Sequence, residues 1–390
     1  GDLSLSGAST LVQAITTGAG NDTITMGANL TDTDVIDGGA NTALTSGAAG
    51  KDTVTLSGAY GTVVTASTPQ IANVETIQYS NAGTDVYLNA TTITGASSLA
   101  FSASAGTTTL TNVAAGQVIG NGIGTTGLIG TLSVTLADET GTADAITLNV
   151  PNTLSTISTT IVKTAGIETV NISASTDSTS TDATTFTTTN MAAANVVLTN
   201  GHAGNTVALG TLNAATTTVD GSAYKGILTM VGATGVAMTV SANGAVANNI
   251  NVSGAATVTL GGLLGTAINT IAGSTGVLDV LNAKANLVNT DFSLVTGMDT
   301  INLTISNGLS PSVITTGKDD GLNLASTINI LGGNSLSGFI IGNGAGGNAV
   351  ITDKATNQTI DASGFAEFVS FGLAASPGIH TVFVSAPLTI

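Results

Sequence analysis

The stretch Gly18-Ala19-Gly20-Asn21-Asp22-Thr23-Ile24-Thr25-Met26 joins a glycine-rich turn to an alternating strand pattern. Related segments follow at Asp34-Val35-Ile36-Asp37-Gly38-Gly39 and at Gly50-Lys51-Asp52-Thr53-Val54-Thr55-Leu56. Glycine permits a sharp turn in which backbone carbonyls point inward, and a short aspartate side chain reaches a hard cation from the same turn. The apolar residue two positions after the aspartate then points into a core, because side chains alternate along a strand.

These segments match a degenerate form of the calcium-binding nonapeptide repeat, Gly-Gly-x-Gly-x-Asp-x-apolar-x. In a stacked β-roll the turns of adjacent coils lie about 4.7–4.9 Å apart, so aspartates from consecutive coils can share one ion. We therefore predict Ca²⁺ ligands among Gly18, Gly20, Asp22, Asp34, Asp37, Gly39, Gly50 and Asp52. The alternative is that these are Gly-Asn-Asp turns that hold no metal.

A second candidate metal site lies in the run Leu136-Ala137-Asp138-Glu139-Thr140-Gly141-Thr142-Ala143-Asp144. Asp138, Glu139 and Asp144 surround a glycine between two strand patterns, and carboxylate and carbonyl oxygens suit a hard cation. A solvated polar turn explains the same residues equally well.

The rest of the chain consists of short alternating runs, each bounded by Gly, Asn, Asp or Ser. Examples are residues 133–136, 145–150, 169–172, 256–260 and 300–305. Only residues 190–195 and 282–290 show weak helical periodicity. We predict an all-β protein built of elongated β-solenoid or β-roll-like modules with calcium-binding Gly/Asp turns. Faint boundaries divide it into modules 1–115, which carries the calcium repeats, 116–200, 201–310 and 311–390.

One phrase recurs in this pattern. It occurs as Gly166-Ile167-Glu168-Thr169-Val170-Asn171, as Gly297-Met298-Asp299-Thr300-Ile301-Asn302 and more loosely as Asn73-Val74-Glu75-Thr76-Ile77-Gln78. We interpret these segments as strand starts and turns of related coils.

The charge balance, like the acidic turns, favours the binding of cations. The 390 residues carry 23 acidic and 6 basic side chains, a net charge of −17, with no cysteine. Nucleic acid is disfavoured because its phosphates would be repelled. Divalent cations would relieve repulsion among the acidic turns, although acidity can also serve solubility alone. No apolar stretch reaches the ~18 residues of a membrane helix. The start at Gly1, without an initiator Met or signal peptide, suggests a fragment or processed form.

Catalysis finds little support in the sequence. His202 and His380 are far apart in Gly/Ala/Thr contexts, where a surface or loop role is more common than that of a base. Asp138 and Glu139 could form a carboxylate pair, but sugar-cleaving sites usually need aromatic platforms and basic side chains. Aromatic residues make up 3% of this chain and arginine is absent. We expect the protein not to be an enzyme.

With these residues in view, the chain resembles the surface-layer (S-layer) proteins of Gram-negative bacteria, of the type I-secreted, calcium-repeat kind found in Caulobacter and Campylobacter. The resemblance rests on the cysteine-free Ala/Thr/Gly/Val/Asn composition, the repeats at 17–54, the phrase at 166–172 and the run 131–144. The composition covers nearly the whole chain, whereas each motif by itself is shared with large repeat adhesins.

The resemblance implies secretion without a cleaved N-terminal signal, calcium-dependent folding outside the cell, and a cell-surface lattice of identical subunits in hexameric or other cyclic units. It also implies a lipopolysaccharide-binding anchor, which we expect to lie outside this chain. Two alternatives stay open: a calcium-repeat adhesin or biofilm protein, and a β-helical polysaccharide-degrading enzyme.

Overall fold

A computed structural model provides the fold of the chain. It describes residues 2–4, 12–26, 33–40, 51–57, 70–80, 86–102, 107–121, 131–150, 157–163, 166–176, 183–187, 191–261, 269–274, 277–285, 290–292, 294–305, 312–316, 326–331, 338–343, 349–353, 359–361, 369–373, 381–383 and 388–389. The chain divides into two units, Gly1–Val197 and Leu198–Ile390, with the boundary inside strand β18 (Asn195–Asn200).

Unit 1 is a β-solenoid in which each strand pairs in parallel with a strand of the next coil. One row of strands is β1, β3, β5, β7, β10, β12, β14 and β16; a second is β2, β4, β6 and β9; a third is β8, β11, β13, β15 and β17. A 3₁₀ turn occupies Ala90–Thr92. The strands are β1 Asp2–Ser4, β2 Ala14–Thr16, β3 Thr23–Thr25, β4 Val35–Asp37, β5 Thr53–Ser57, β6 Gln70–Ala72, β7 Thr76–Ser80, β8 Val86–Asn89, β9 Ile93–Thr94, β10 Ser98–Ser102, β11 Thr107–Val113, β12 Val118–Asn121, β13 Thr131–Leu136, β14 Ala145–Asn149, β15 Ile157–Lys163, β16 Thr169–Ala174 and β17 Ala183–Thr187.

Unit 2 repeats the same architecture. Its longest row is β20, β22, β24, β26, β29, β31, β33, β35 and β37, followed by the rows β19, β21, β23, β25, β28 and β27, β30, β32, β34, β36. The strands are β19 Thr206–Thr211, β20 Thr218–Tyr224, β21 Ile227–Val231, β22 Met238–Asn243, β23 Asn249–Asn251, β24 Ala256–Gly261, β25 Thr270–Ala272, β26 Val280–Ala285, β27 Thr290–Phe292, β28 Val295–Thr296, β29 Thr300–Ile305, β30 Ser312–Thr316, β31 Ser326–Leu331, β32 Gly338–Asn343, β33 Ala349–Asp353, β34 Thr359–Asp361, β35 Val369–Leu373, β36 Thr381–Phe383 and β37 Leu388–Thr389.

The core of each unit is a set of aliphatic rows that run from coil to coil. In unit 1 the pairing registers place five buried side chains in one row: Ile24, Val54, Ile77, Leu99 and Ile119. Unit 2 has the corresponding row Val219, Val240, Val258, Leu281 and Ile301. Full burial of each such side chain contributes about 1.5–3 kcal/mol, which makes these rows the main stabilising feature of the coils.

The structure confirms the all-β solenoid prediction. Each of the five alternating runs quoted above coincides with a strand, namely β13, β14, β16, β24 and β29. The weak helical signal was wrong where it can be checked, because residues 191–194 are irregular and residues 282–285 belong to β26. In β26 the side chain of Ala283 packs inward, whereas those of its neighbours Asn282 and Lys284 do not, which is the alternation of a strand. The division into four modules stays a prediction. Within the described residues, no helix has the length and apolarity that crossing a membrane demands.

Candidate metal centre

A ladder of side-chain oxygens links neighbouring coils at the position before a strand. Thr53 N donates to the carbonyl of Asp22 at 2.9 Å, so that carbonyl is paired with the next coil. The N–H of Asp22 lies beyond the end of the strand pairing, and Asp52 Oδ1 accepts it at 2.8 Å. The ladder therefore satisfies a backbone donor that would otherwise be buried without a partner.

The same arrangement recurs along both units. Asp52 N donates to Glu75 Oε2 at 2.7 Å, and Asp144 N donates to Glu168 Oε2 at 2.9 Å. In unit 2 an asparagine takes the place of the acid between β21 and β23, where Asn248 Oδ1 accepts from Leu228 N at 3.0 Å. Ladder residues thus have a structural role whether or not they also bind metal.

The predicted ligands Asp22 and Asp52 lie side by side in this ladder. The register pairs Thr23 with Thr53, so their preceding aspartates occupy the same position in neighbouring coils. Both are buried, with 5% and 1% of their surface exposed. Glu75 follows in the next coil. Three acidic side chains are therefore stacked in consecutive coils, as the repeat hypothesis expects for two of them.

The fully buried oxygen Asp52 Oδ2 in this stack has no hydrogen-bond donor among the described residues. A Cβ placed on Gly38 would lie 2.8 Å from it and closer still to the carbonyl oxygen of Asn73, so both oxygens border the same spot beside Gly38. Burial raises the pKa of Asp52, and the nearby charges of Glu75 and Asp22 raise it further. A cation at Asp52 Oδ2 would offset both the cost of burying the carboxylate and its repulsion by Glu75 and Asp22.

The other predicted ligands near the repeats are dispersed. Asp34 is buried on the second row of strands, where its Oδ1 accepts from Gln13 N at 2.7 Å. Asp37 Oδ1 accepts from Asn73 Nδ2 at 2.8 Å and from Gly39 N at 2.9 Å. The bond from Asn73 and, to a smaller extent, the bond from Gly39 lower the pKa of Asp37.

The predicted glycines fit sharp turns. Gly39 has φ +85°, and a Cβ there would lie 2.5 Å from the carbonyl oxygen of Gly18. Gly20 has φ +137°. Backbone conformation and close approach are therefore enough to explain why glycine occurs at these positions. Gly50 lies outside the described residues.

The second candidate site forms an irregular turn between β13 and β14. Asp138 Oδ1 accepts from Thr140 Oγ1 at 2.7 Å and from Thr140 N at 3.0 Å, which lowers the pKa of Asp138. Glu139 is exposed, and its backbone lies against Gly166. Asp144 is half-buried beneath Gly141, with its Oδ2 lacking a donor within the described part of the chain. The three carboxylates thus have different surroundings.

Sequence reasoning missed most of the ladder. Glu75, Glu168 and Asp299 belong to the recurring phrase, which the structure places at strand starts as predicted: β7, β16 and β29 begin at its threonine. The preceding apolar residues Val74, Ile167 and Met298 are buried. The combination of a turn residue, an apolar residue and an acid before Thr is the sequence signal from which the ladder position could have been identified.

No three His, Asp or Glu side chains come together as a metal-binding group within the described residues. An ion at Asp52 would thus be held by carboxylate and backbone carbonyl oxygens, which are usual Ca²⁺ ligands. His202 is half-buried in a turn and its Nδ1 accepts from Gly204 N at 3.2 Å; His380 lies outside the described residues. No protein-family model, curated protein or solved structure matches this chain.

Proposed function

We propose that this chain is the lattice-forming part of a secreted bacterial S-layer protein, a structural and non-enzymatic subunit whose coils are stabilised by Ca²⁺ outside the cell. The observation that carries the proposal is the stack of the buried Asp22 and Asp52 with the half-buried Glu75, in which Asp52 Oδ2 has no donor within the described residues. The parallel coils and the net charge of −17 support the same interpretation.

The residues that would hold the ion are Asp52, through Oδ2, and Asn73, through its backbone carbonyl. The ion would supply positive charge to a position where three acids are stacked and Asp52 Oδ2 is buried. Extracellular modules bind Ca²⁺ with dissociation constants of roughly 10⁻⁴–10⁻³ M, so the site would fill outside the cell and stay empty in the cytosol. Binding to the folded state alone would then couple secretion to folding.

The surface chemistry suits a subunit that tiles. Outward-facing positions of the long strand row in unit 2 carry Thr, Ser and Asn, and these side chains bond from coil to coil: Asn302 Nδ2 donates to Asn282 Oδ1 at 2.8 Å. Such a polar, regular face can form repeated contacts with identical subunits, and interfaces that do not close generate sheets.

The enzyme alternative is weaker. A glycosidic general acid needs a raised pKa, whereas the pKa of Asp138 is lowered by Thr140. Asp138 is therefore a poor candidate for that role.

The test combines thermal unfolding, followed by circular dichroism, with electron microscopy of the purified chain in Ca²⁺, in Mg²⁺ and in chelator. At a Ca²⁺ concentration 100 times the dissociation constant, we expect about 2.7 kcal/mol of stabilisation that Mg²⁺ does not reproduce. Ordered sheets in Ca²⁺ support the lattice. Equal melting in all three conditions contradicts the calcium role, and well-folded single particles at high Ca²⁺ contradict the lattice and favour the adhesin.

A further inference from the structure

Two corners of the molecule, one in each unit, match position for position. The Asp52 corner comprises Gly38, Asp52, Asn73 and Glu75, and the Asp279 corner comprises Gly273, Asp279, Gly297 and Asp299. The registers place Gly38 next to Asn73 and Gly273 next to Gly297, directly after paired strands. Asn73 and Gly297 both adopt positive φ, +55° and +68°.

The hydrogen bonds of the two corners also match. Asp52 Oδ1 accepts from Asp22 N at 2.8 Å, and Asp279 Oδ1 accepts from Ala256 N at 2.7 Å. Asp279 N donates to Asp299 Oδ2 at 2.7 Å, the same distance as from Asp52 N to Glu75 Oε2. A Cβ on Gly273 would lie 2.8 Å from Asp279 Oδ2, which repeats the distance from Gly38 to Asp52 Oδ2.

The corners differ at the second carboxylate oxygen. Asp279 Oδ2 accepts from Ser274 N at 2.7 Å and from Ser274 Oγ at 3.1 Å. The residue that corresponds to Ser274 is Gly39, which has no hydroxyl and whose N–H donates instead to Asp37 Oδ1 at 2.9 Å. Asp52 Oδ2 consequently has no donor among the described residues. Asp279, although fully buried, has both oxygens bonded.

We infer that Ser274 does for Asp279 what a bound cation does for Asp52, so that the Asp279 corner is a metal-independent copy of the Asp52 corner. Two donors on Oδ2 and one on Oδ1 satisfy a carboxylate without an ion, because hydrogen bonds to the charged form stabilise it. Calcium then orders the coils around Asp52 and leaves those around Asp279 unchanged. The calcium half of this inference rests on the proposed function.

Hydrogen–deuterium exchange on the full chain, with and without Ca²⁺, tests the inference locally. The informative amides are the matched donors Asp22 and Asp52 in unit 1 and Ala256 and Asp279 in unit 2. We expect Ca²⁺ to slow exchange in peptides covering 17–26 and 51–57 by about tenfold, the equivalent of 1.4 kcal/mol. Peptides covering 256–261 and 277–285 should exchange at the same rate in both conditions.

The variant Ser274→Ala tests the serine. It should speed exchange at Ala256 and Asp279 several-fold in chelator, whereas Ser222→Ala, a change at an exposed serine, should not. The variant keeps the backbone N–H that donates to Asp279 Oδ2 and loses the hydroxyl donor, so unchanged exchange in Ser274→Ala overturns the role of the Ser274 hydroxyl. Equal protection of both corners by Ca²⁺ overturns the inference and leaves the calcium proposal standing. Protection of neither corner overturns the calcium proposal itself.

Discussion

Replacing Asp52 by asparagine should stabilise the protein when calcium is absent and destabilise it when calcium is bound. In chelator the wild-type carboxylate is buried beside two other acids, its pKa is raised by burial first and by Glu75 and Asp22 next, and Oδ2 has no donor among the described residues. An unsatisfied buried polar atom costs about 1–3 kcal/mol. Asparagine retains the Oδ1 that accepts from Asp22 N and places an N–H₂ donor beside the carbonyl of Asn73.

We therefore expect Asp52→Asn to stabilise the metal-free protein by about 1–3 kcal/mol. In a unit of this size each 1 kcal/mol raises the melting temperature by roughly 2–4 °C. At a Ca²⁺ concentration about 1,000 times the dissociation constant the order should invert, because the variant loses the ligand and with it ~4.1 kcal/mol of stabilisation, which exceeds the about 1–3 kcal/mol gained without metal. Thermal unfolding of both proteins across a Ca²⁺ titration measures the crossing.

The matched control is Asp279→Asn. Both oxygens of Asp279 already accept hydrogen bonds, so an amide there turns a donor toward Ser274 and should destabilise the protein with or without Ca²⁺. If Asp52→Asn instead lowers stability in chelator, Asp52 Oδ2 is not an unsatisfied atom and the reasoning fails.

Two further outcomes follow from the ladder. The folded-state pKa values of Asp52 and Asp279 are both raised above 3.8, so the folded state binds protons more tightly than the unfolded state. In chelator, the free energy of unfolding should therefore rise as pH falls from about 7 toward about 4, and this gain should be lost again as pH increases. A flat pH profile of stability, measured by denaturant titration, would argue against this prediction. Asn248→Ala removes a buried side chain that bonds with Leu228 N and Asn269 Oδ1, and should lower the free energy of unfolding by about 3 kcal/mol in the same assay. The control Asn249→Ala changes an exposed neighbour and should have little effect. Equal losses of stability in the two variants would contradict the role of the ladder.

Much of the fold could be predicted from the sequence. Alternation of Thr or Asn with Val, Ile or Leu is a local property, and it located strands such as β14, β24 and β29 because inward positions of a solenoid strand recur every second residue. The glycine-rich turns were also recognisable, since Gly39 occupies a conformation and a space that a side chain would not tolerate. The helical signal was wrong at 282–285 because a short run with small apolar residues is ambiguous between helix and strand.

The environment of each carboxylate could not be predicted in this way. Asp22, Asp34 and Asp52 look equivalent in the repeats, yet Asp34 belongs to another strand row and accepts from Gln13 N. Asp22 and Asp52 are partners across 30 residues, and Ala256 and Asp279 across 23. Those separations depend on loop lengths, which local patterns do not constrain.

The sequence alone determined that this is an all-β chain of related, acidic coils, because strand period and turn chemistry are carried by neighbouring residues. Tertiary structure decided that Asp279 receives two donors from Ser274 while Asp52 Oδ2 receives none from the described residues. The physical reason is that a buried carboxylate is stabilised or destabilised by the donors that coil stacking brings to it, and those donors come from distant positions in the chain.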